Sequence, residues 1–499
     1  MRPGGRRQGR GQPKEEKMLK LEPKNVWDYF ENLCAIPRPS GHEEAAGKYV
    51  ASVAQRHGLS WQKDAVGNIV IRVPASPGKE SAPVTVLQGH TDMVCEKNSD
   101  TRHDFMKDPI KPRIDGAWVK ATGTTLGADN GIGVAMALAL LDEKDFIHPA
   151  LELLFTIDEE TGLNGANGLK PGFLKGRRLL NLDTEEDGEL YVGCAGGIDT
   201  VITLKARREK AVPRKNVYNL AVKGLRGGHS GGDIHEGRGN ANQLLVRALW
   251  AIQGAGAGFR LISFDGGSKR NAIPREAFAT IVLAGAAAAK AKKALKSFEA
   301  EALAELKGVD EGLSIALSVA KNELAPMAFA AQEKLMNLLG SLPHGYVEYS
   351  REIHGLVQTS TNFAIVTTKK GEVEVCTSQR SSVWSRLMWA AKWVESVGLS
   401  VGAKVEHSSA YPGWKPNLES PILKQAQETY ARLHGVTPQP KAIHAGLECG
   451  IIGAKYPGMD MVSMGPEIKN AHSPDEAVSI ASVEKTYAYL KELLKDLAG

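Results

Sequence analysis

LELLFTIDEETGLNGA, residues 151–166, sets the architecture of this chain. Its apolar first half reads as a buried strand, and Asp158, Glu159 and Glu160 close that strand with three consecutive carboxylates. Carboxylates so crowded repel one another unless water solvates them or a cation neutralises them. Working outward, NIVIRV (68–73), VTVLQGH (84–90) and LLNLDT (179–184) repeat the strand pattern, and GIGVAMALALLDE (131–143) supplies a crossover helix. Strands alternating with helices imply an α/β fold, a mixed, mostly parallel sheet with flanking helices. In such sheets ligands collect at the carboxyl ends of the strands. The polar residues that abruptly end apolar runs are therefore the candidates: His90, Asp92, Asp129, Asp158, Glu159, Glu160 and Asp183.

A chain of 499 residues exceeds the size at which one core keeps growing, so more than one domain is expected. After Gly196–Gly197 the texture changes to an α+β pattern, and from about Tyr411 the α/β character returns. The sequence thus reads as a disordered basic extension (1–17), an α/β domain in two parts (18–196 and 409–499) and an inserted α+β domain (197–408). The inserted domain contains a strand–helix pattern that recurs, as two similar α+β units would.

At 42% hydrophobic and 24% charged residues, the composition excludes a disordered or fibrous chain. Net charge is +5, but residues 1–17 carry six Lys/Arg against two Glu, which leaves +1 for the rest. A short basic tail without interleaved aromatics supplies no nucleic-acid platform. No apolar run reaches the roughly 18 residues of a membrane span, and the first residues lack a secretory pattern. Cys34, Cys95, Cys194, Cys376 and Cys449 are odd in number and never in CxxC spacing. A soluble cytoplasmic protein without disulfides is expected.

Each candidate has an ordinary reading beside the chemical one. His90 serves as a capping histidine or a ligand. Asp92, two residues on, shares its strand face and is placed to orient it. Asp129 in TTLGADNGIG (124–133) suits a helix N-cap equally well. Glu159 and Glu160 point to opposite faces, so one can bind metal while the other moves protons. Asp183 precedes TEED, an acidic turn, and His472 in NAHSPDE (470–476) is otherwise a loop histidine. In KGLRGGHSGGDIH (223–235) glycines leave backbone groups open around His229, which suits a developing oxyanion. Arg380 ends an apolar run and suits a substrate carboxylate, and Asn362 precedes another such run.

Taken in order, HTDMV, GTTLGADNGIG, DEETGLNGA, NLDTEEDGE, GGHSGG, RNAIPRE, HAGLECG and NAHSPDE resemble, from about Lys17 onward, the co-catalytic metallopeptidases related to aminoacylase and carboxypeptidase G. The resemblance implies a pair of divalent ions, usually zinc. His90 and Asp183 would hold one ion, Glu160 and His472 the other, and Asp129 would bridge them. Glu159 would be the general base and Asp92 its support, with the Asp129–Asn130 peptide cis. His229, Asn362 and Arg380 would be the lid's substrate contacts, joined by backbone amides of the HAGLECG loop at Gly446. Two imidazoles and three carboxylates without a thiolate suit zinc, cobalt or manganese. The implied activity is hydrolysis of unblocked dipeptides, Xaa-His included, by a homodimer whose partner is a small peptide, with neither nucleic acid nor membrane bound. An aminoacylase or carboxypeptidase acting on N-blocked amino acids is the alternative, and a non-catalytic nucleic-acid protein using the tail is the reading from another class.

Overall fold

The computed structural model describes residues 19–209, 216–321, 324–408 and 410–499. The basic extension expected over 1–17 lies outside them. The chain forms two compact units. One holds residues up to 189, 424–438 and 462–499, and the other holds 190–423 and 439–461.

The first unit opens with helices α1 (Lys24–Cys34) and α2 (Glu44–Arg56). Strands β1 (Ser60–Lys63), β2 (Ile69–Val73) and β3 (Thr85–His90) follow, then a hairpin of β4 (Arg113–Asp115) and β5 (Trp118–Lys120). Helix α3 (Ala128–Ala139) and strands β6 (Leu151–Thr156) and β7 (Arg178–Asn181) complete its first segment. Spatial order in the main sheet is β1-β2-β6-β3-β7, continued by the strand Asp460–Ser463. β3 runs parallel to both β6 and β7, while β1 and β2 are antiparallel additions at the edge. β3 and β6 are buried along their whole length, as unbroken apolar runs require. Helix α3 is buried on nearly every face, because Gly, Ala, Val, Ile, Met and Leu leave it no polar stripe. It packs between β3 and α1, which contributes Trp27, Phe30 and Leu33.

Register decides where the loops emerge. His90 lies opposite Thr156, and Gln88 lies opposite Asn181. The segments after β3, β6 and β7 therefore leave the sheet side by side at one edge. A small second sheet, β4-β5 with the strands Ala477–Ser479 and Ile468–Lys469, holds the hairpin whose loop contains His472. Neither β1 nor these short strands stands out in the sequence, since SWQK and RID are fully exposed and carry no alternation.

The second unit is α+β. Its main sheet is antiparallel in every assigned pair and runs, in spatial order, Ser314–Val319, Val217–Lys223, Ala277–Leu283, Phe259–Gly266, Val357–Lys369, Glu372–Ser381, Gly196–Lys205 and Lys404–His407. A ninth strand, Gly345–Tyr349, pairs with Val357–Lys369, and the two halves of the sheet meet at a single residue pair, Gly266 with Val366. Helices Ala241–Gly254, Ala287–Glu305, Phe329–Ser341 and Trp384–Ser400 cover it, with Leu245, Leu249, Phe264, Leu335 and Val394 among the residues of the shared core. Among the described residues no helix is long and apolar enough to cross a membrane.

Candidate metal centre

His90 is the last residue of β3 and is 1% exposed. Its Nδ1 lies 3.2 Å from Asp92 Oδ1, while Nε2 faces Asp129 Oδ1 at 3.1 Å and Asp183 Oδ1 at 3.4 Å. His472 Nε2 approaches the other oxygen, Asp129 Oδ2, at 2.9 Å and Glu160 Oε2 at 3.2 Å. Asp129 thus offers one carboxylate oxygen to each imidazole. Two groups of ligand atoms follow, His90–Asp129–Asp183 and Asp129–Glu160–His472, each within 4.8 Å. Glu159 joins His90 and Glu160 in a third such group.

Local structure explains how these side chains reach one place. Asp129 stands at the start of α3 without helical φ/ψ and without capping the helix, so its carboxylate is left to project. The Asp129–Asn130 peptide is cis. Asn130 Nδ2 anchors the turn by donating to Leu182 O at 2.6 Å, one residue before Asp183. Asp92 is fully buried and does more than face His90. Its Oδ1 accepts from Glu159 N at 3.1 Å, and its Oδ2 accepts from Glu160 N at 3.2 Å and from Ser40 Oγ at 2.8 Å. One carboxylate therefore fixes both the imidazole and the carboxylate loop. Asp158 accepts from Thr161 and Asn164 and belongs to a separate acidic group with Glu43 and Asp92.

The electrostatics are those of buried charge in excess. Burial would raise Asp92, but the hydrogen bond and charge of His90, the Glu159 amide and Ser40 hold it near 2. Burial likewise opposes ionised Asp129, and His472 and His90 together keep it far below the usual carboxylate range. Asp183 goes the other way, raised to about 6, first by burial. Glu160 is raised by burial and by the charge of Asp129. His472 is raised to about 11 by its bonds to Asp129 and Glu160. Burial lowers His90, yet Asp183, Asp129 and Asp92 push it well above the ordinary histidine value.

Protons on imidazole are the only positive charge this set supplies itself, and they do not match its carboxylates. Glu160 Oε1 and Asp183 Oδ1 are buried without a hydrogen-bond partner among the described residues. A converging set of nitrogen and oxygen donors with unused lone pairs fits divalent cations of the zinc, cobalt or manganese kind.

Three contributors escape a sequence reading. Glu185, in what reads as an acidic turn, is raised to about 8, first by burial and then by Asp129 and Asp183. Arg38 is buried and donates to Thr91 O and Asp92 O at 3.1 and 2.8 Å and to Gly127 O. Glu476 is buried four residues after His472. A charged residue inside an otherwise ordinary turn, close in sequence to a ligand, is the signal that could have found the first and last.

The remaining candidates lie in the second unit. His229 Nδ1 accepts from Gly232 N at 3.0 Å and Gly231 N at 3.3 Å, which leaves the neutral ring's proton on Nε2. Arg380 lies directly opposite Ser360 in the sheet, and Asn362 is two residues along on the same face. Asn362 Nδ2 donates to Ala272 O and Arg270 O at 2.8 and 3.1 Å, leaving Oδ1 buried without a partner among the described residues. Gly446 sits between the strand Pro440–Ile443 and the helix Glu448–Lys455. The same loop brings in a residue the sequence reading passed over, His444, whose Nε2 lies 2.7 Å from Ser360 Oγ. Burial, followed by the charges of Arg380, His229 and His235, pushes His444 down to about 3.

The family model described as "Peptidase family M20/M25/M40" matches residues 86–496. The cytosol non-specific dipeptidase of Escherichia coli (strain K12) is 46% identical over 480 residues, covering 96% of this chain and 99% of that protein. The crystal structure of aminoacylhistidine dipeptidase from Vibrio alginolyticus superposes with a TM-score of 0.85 at 43% identity, over 96% of this chain and 98% of that one. Aminopeptidase PepT from Bacillus cereus ATCC 10987 shares the fold at a TM-score of 0.57 and 15% identity, over 96% of this chain and 100% of that one.

Proposed function

The chain belongs to peptidase family M20/M25/M40, and on that footing we propose that it is a metallo-dipeptidase cleaving unblocked dipeptides with broad tolerance, Xaa-His included. The observation that carries this reading is Asp129, presented between two imidazole–carboxylate groups with one oxygen for each. In this reading His90 and Asp183 would hold one divalent ion and Glu160 and His472 the other, with Asp129 available to both, and zinc is the ion best suited to the donors. Such ions would supply Lewis acidity toward a carbonyl and a water at neutral pH.

Glu159 takes the proton that the attacking water gives up and hands it to the leaving amine, so that the product departs neutral. Asp92 holds Glu159 ready through the backbone amide it accepts and keeps His90 oriented through Nδ1. His229 offers its Nε2 proton to the oxygen that becomes negative as the carbonyl is attacked. Arg380, with the amides of the loop at Gly446, takes the peptide's carboxylate, and Asn362 lends its unused oxygen to the substrate amine. A cytoplasmic location agrees with five free cysteines.

We also read the chain as a homodimer. Helix Trp384–Ser400 buries Leu387, Ala390, Ala391 and Val394 but leaves Trp384, Met388, Trp389 and Trp393 exposed on its outer face. Trp389→Glu should shift sedimentation to that of a monomer, and an unchanged value would remove this face from the assembly.

The test of function is hydrolysis of Ala-His, Leu-Gly, Gly-Gly-Gly and N-acetyl-Leu by metal-stripped protein, with and without added zinc, cobalt or manganese. Cleavage of the free dipeptides only with metal is expected. Cleavage of N-acetyl-Leu alone would move the chain to the aminoacylase branch, and silence on every substrate with metal bound would overturn the reading.

A further inference from the structure

The ligand with the weakest hold on its position is His472. Its side chain is 52% exposed, it lies in a loop between two short strands, and its φ of 63° is one that L-residues seldom adopt. Packing does not fix it. Its partner Asp129 has the opposite surroundings, a buried turn at the start of α3. Something must join the exposed loop to the buried turn if both are to meet one ion.

Glu476 makes that join. It is 2% exposed and immediately precedes the strand Ala477–Ser479. Its Oε2 accepts from Leu126 N at 2.7 Å and Gly127 N at 3.0 Å, and its Oε1 accepts from Ala128 N at 2.7 Å and Asp129 N at 3.2 Å. Four successive amides leading into the Asp129 carboxylate are thus held by one side chain from the His472 loop. The loop itself is tightened by Ser473, whose Oγ donates to Asn470 O at 2.8 Å and accepts from Asp475 N at 3.2 Å, and by Glu476 N donating to Ser473 O at 3.1 Å. From the other side Arg38 holds the carbonyl of Gly127 and ties it to the exit of β3. A buried carboxylate on four amides is costly to place and strongly directional once placed.

We propose that Glu476 is a positioning residue that sets the distance between His472 and Asp129, and so governs binding of the ion shared by Asp129, Glu160 and His472 more than that of its neighbour. This inference rests on the two-ion reading above. The neighbouring site depends less on Glu476 because Asp129 is also fixed through Arg38 and Asn130, and His90 and Asp183 come from the edge of the sheet.

Glu476→Gln keeps the shape but turns a donor toward amides that need an acceptor. Glu476→Asp keeps the charge and shortens its reach. The experiment titrates each stripped variant with zinc against a chromophoric chelator, beside amide hydrogen exchange of residues 126–129 in the metal-free proteins. In the wild type two zinc ions bind. In Glu476→Gln one of the two should bind roughly 10–100-fold less tightly, with the other nearly unchanged, and amides 126–129 should exchange faster. Glu476→Asp, the variant to read if the first does not fold, should fall between. Wild-type zinc constants in either folded variant overturn the proposal, as does equal weakening of both ions. Failure of the wild type to bind zinc, cobalt or manganese at all would instead overturn the two-ion reading on which it rests.

Discussion

Histidines in the two units are driven in opposite directions. In the first unit His472 is raised to about 11 and His90 well above its ordinary value, because carboxylates crowd both rings. In the second unit His444 is lowered to about 3, first by burial and then by the charge of Arg380 beside it. The first cluster is a problem of charge. Its side chains hang just past strand ends, where several carboxylates can converge, and only a proton or a metal cation balances them. The second is a problem of hydrogen bonding. Ser360, Asn362 and Arg380 stand along two paired strands, His444 meets Ser360 from a loop, and the contacts are largely neutral. The two clusters are therefore distinguishable by what their titratable groups have been pushed toward.

The largest expected effect tests whether charge alone defines the first cluster. Glu159 sits among the ligands yet is assigned no ion, so Glu159→Gln should lower kcat by about 10²–10⁴-fold while the bound zinc, measured by atomic absorption, stays at the wild-type level. Zinc lost in proportion to activity would make Glu159 a ligand and erase the division of labour between it and Glu160. A smaller effect belongs to the second unit. Arg380→Met removes a buried guanidinium and should lower kcat/KM for a dipeptide about 10–100-fold, chiefly through KM, in line with one or two hydrogen bonds to a charged group. The corresponding dipeptide amide should show little change. An equal loss on both substrates would mean that Arg380 supports the sheet and does not read a carboxylate.

The same contrast governs what the sequence reveals. The strands carrying His90, Glu160 and Asp183 are apolar runs ended abruptly by charge, and a parallel sheet needs nothing more to bring such ends together. Asp129 reads in the sequence as an N-cap or as a ligand, and in the turn it does not cap the helix. His472 came into view only through the motif around it, since its strands are two and three residues long. In the second unit the burial of Arg380 and Asn362 depends on register across the sheet, which no local pattern encodes. Arg38 was invisible for another reason, since a buried charge whose partners are backbone groups has no complementary residue in the sequence to announce it, whereas Glu476 is signalled only by its place four residues after His472.

The smallest effect bears on stability and isolates the neutral histidine. An unfolded histidine titrates near 6.5, whereas His444 in the fold titrates near 3. Between those values the unfolded chain binds a proton that the folded one refuses, so stability rises with pH across this window and is lost as pH falls through 6.5. Removing the imidazole in His444→Gln, which can still bond Ser360, should make the loss between pH 7 and pH 5 smaller by about 2 kcal/mol, from roughly 1.4 kcal/mol per unit of pH below the unfolded value. Urea titrations of both metal-free proteins at the two pH values measure it, and the groups of the first unit, common to both, cancel in the difference. Identical losses in the two proteins would mean that His444 accepts a proton in place, and that the second unit, like the first, is organised by charge.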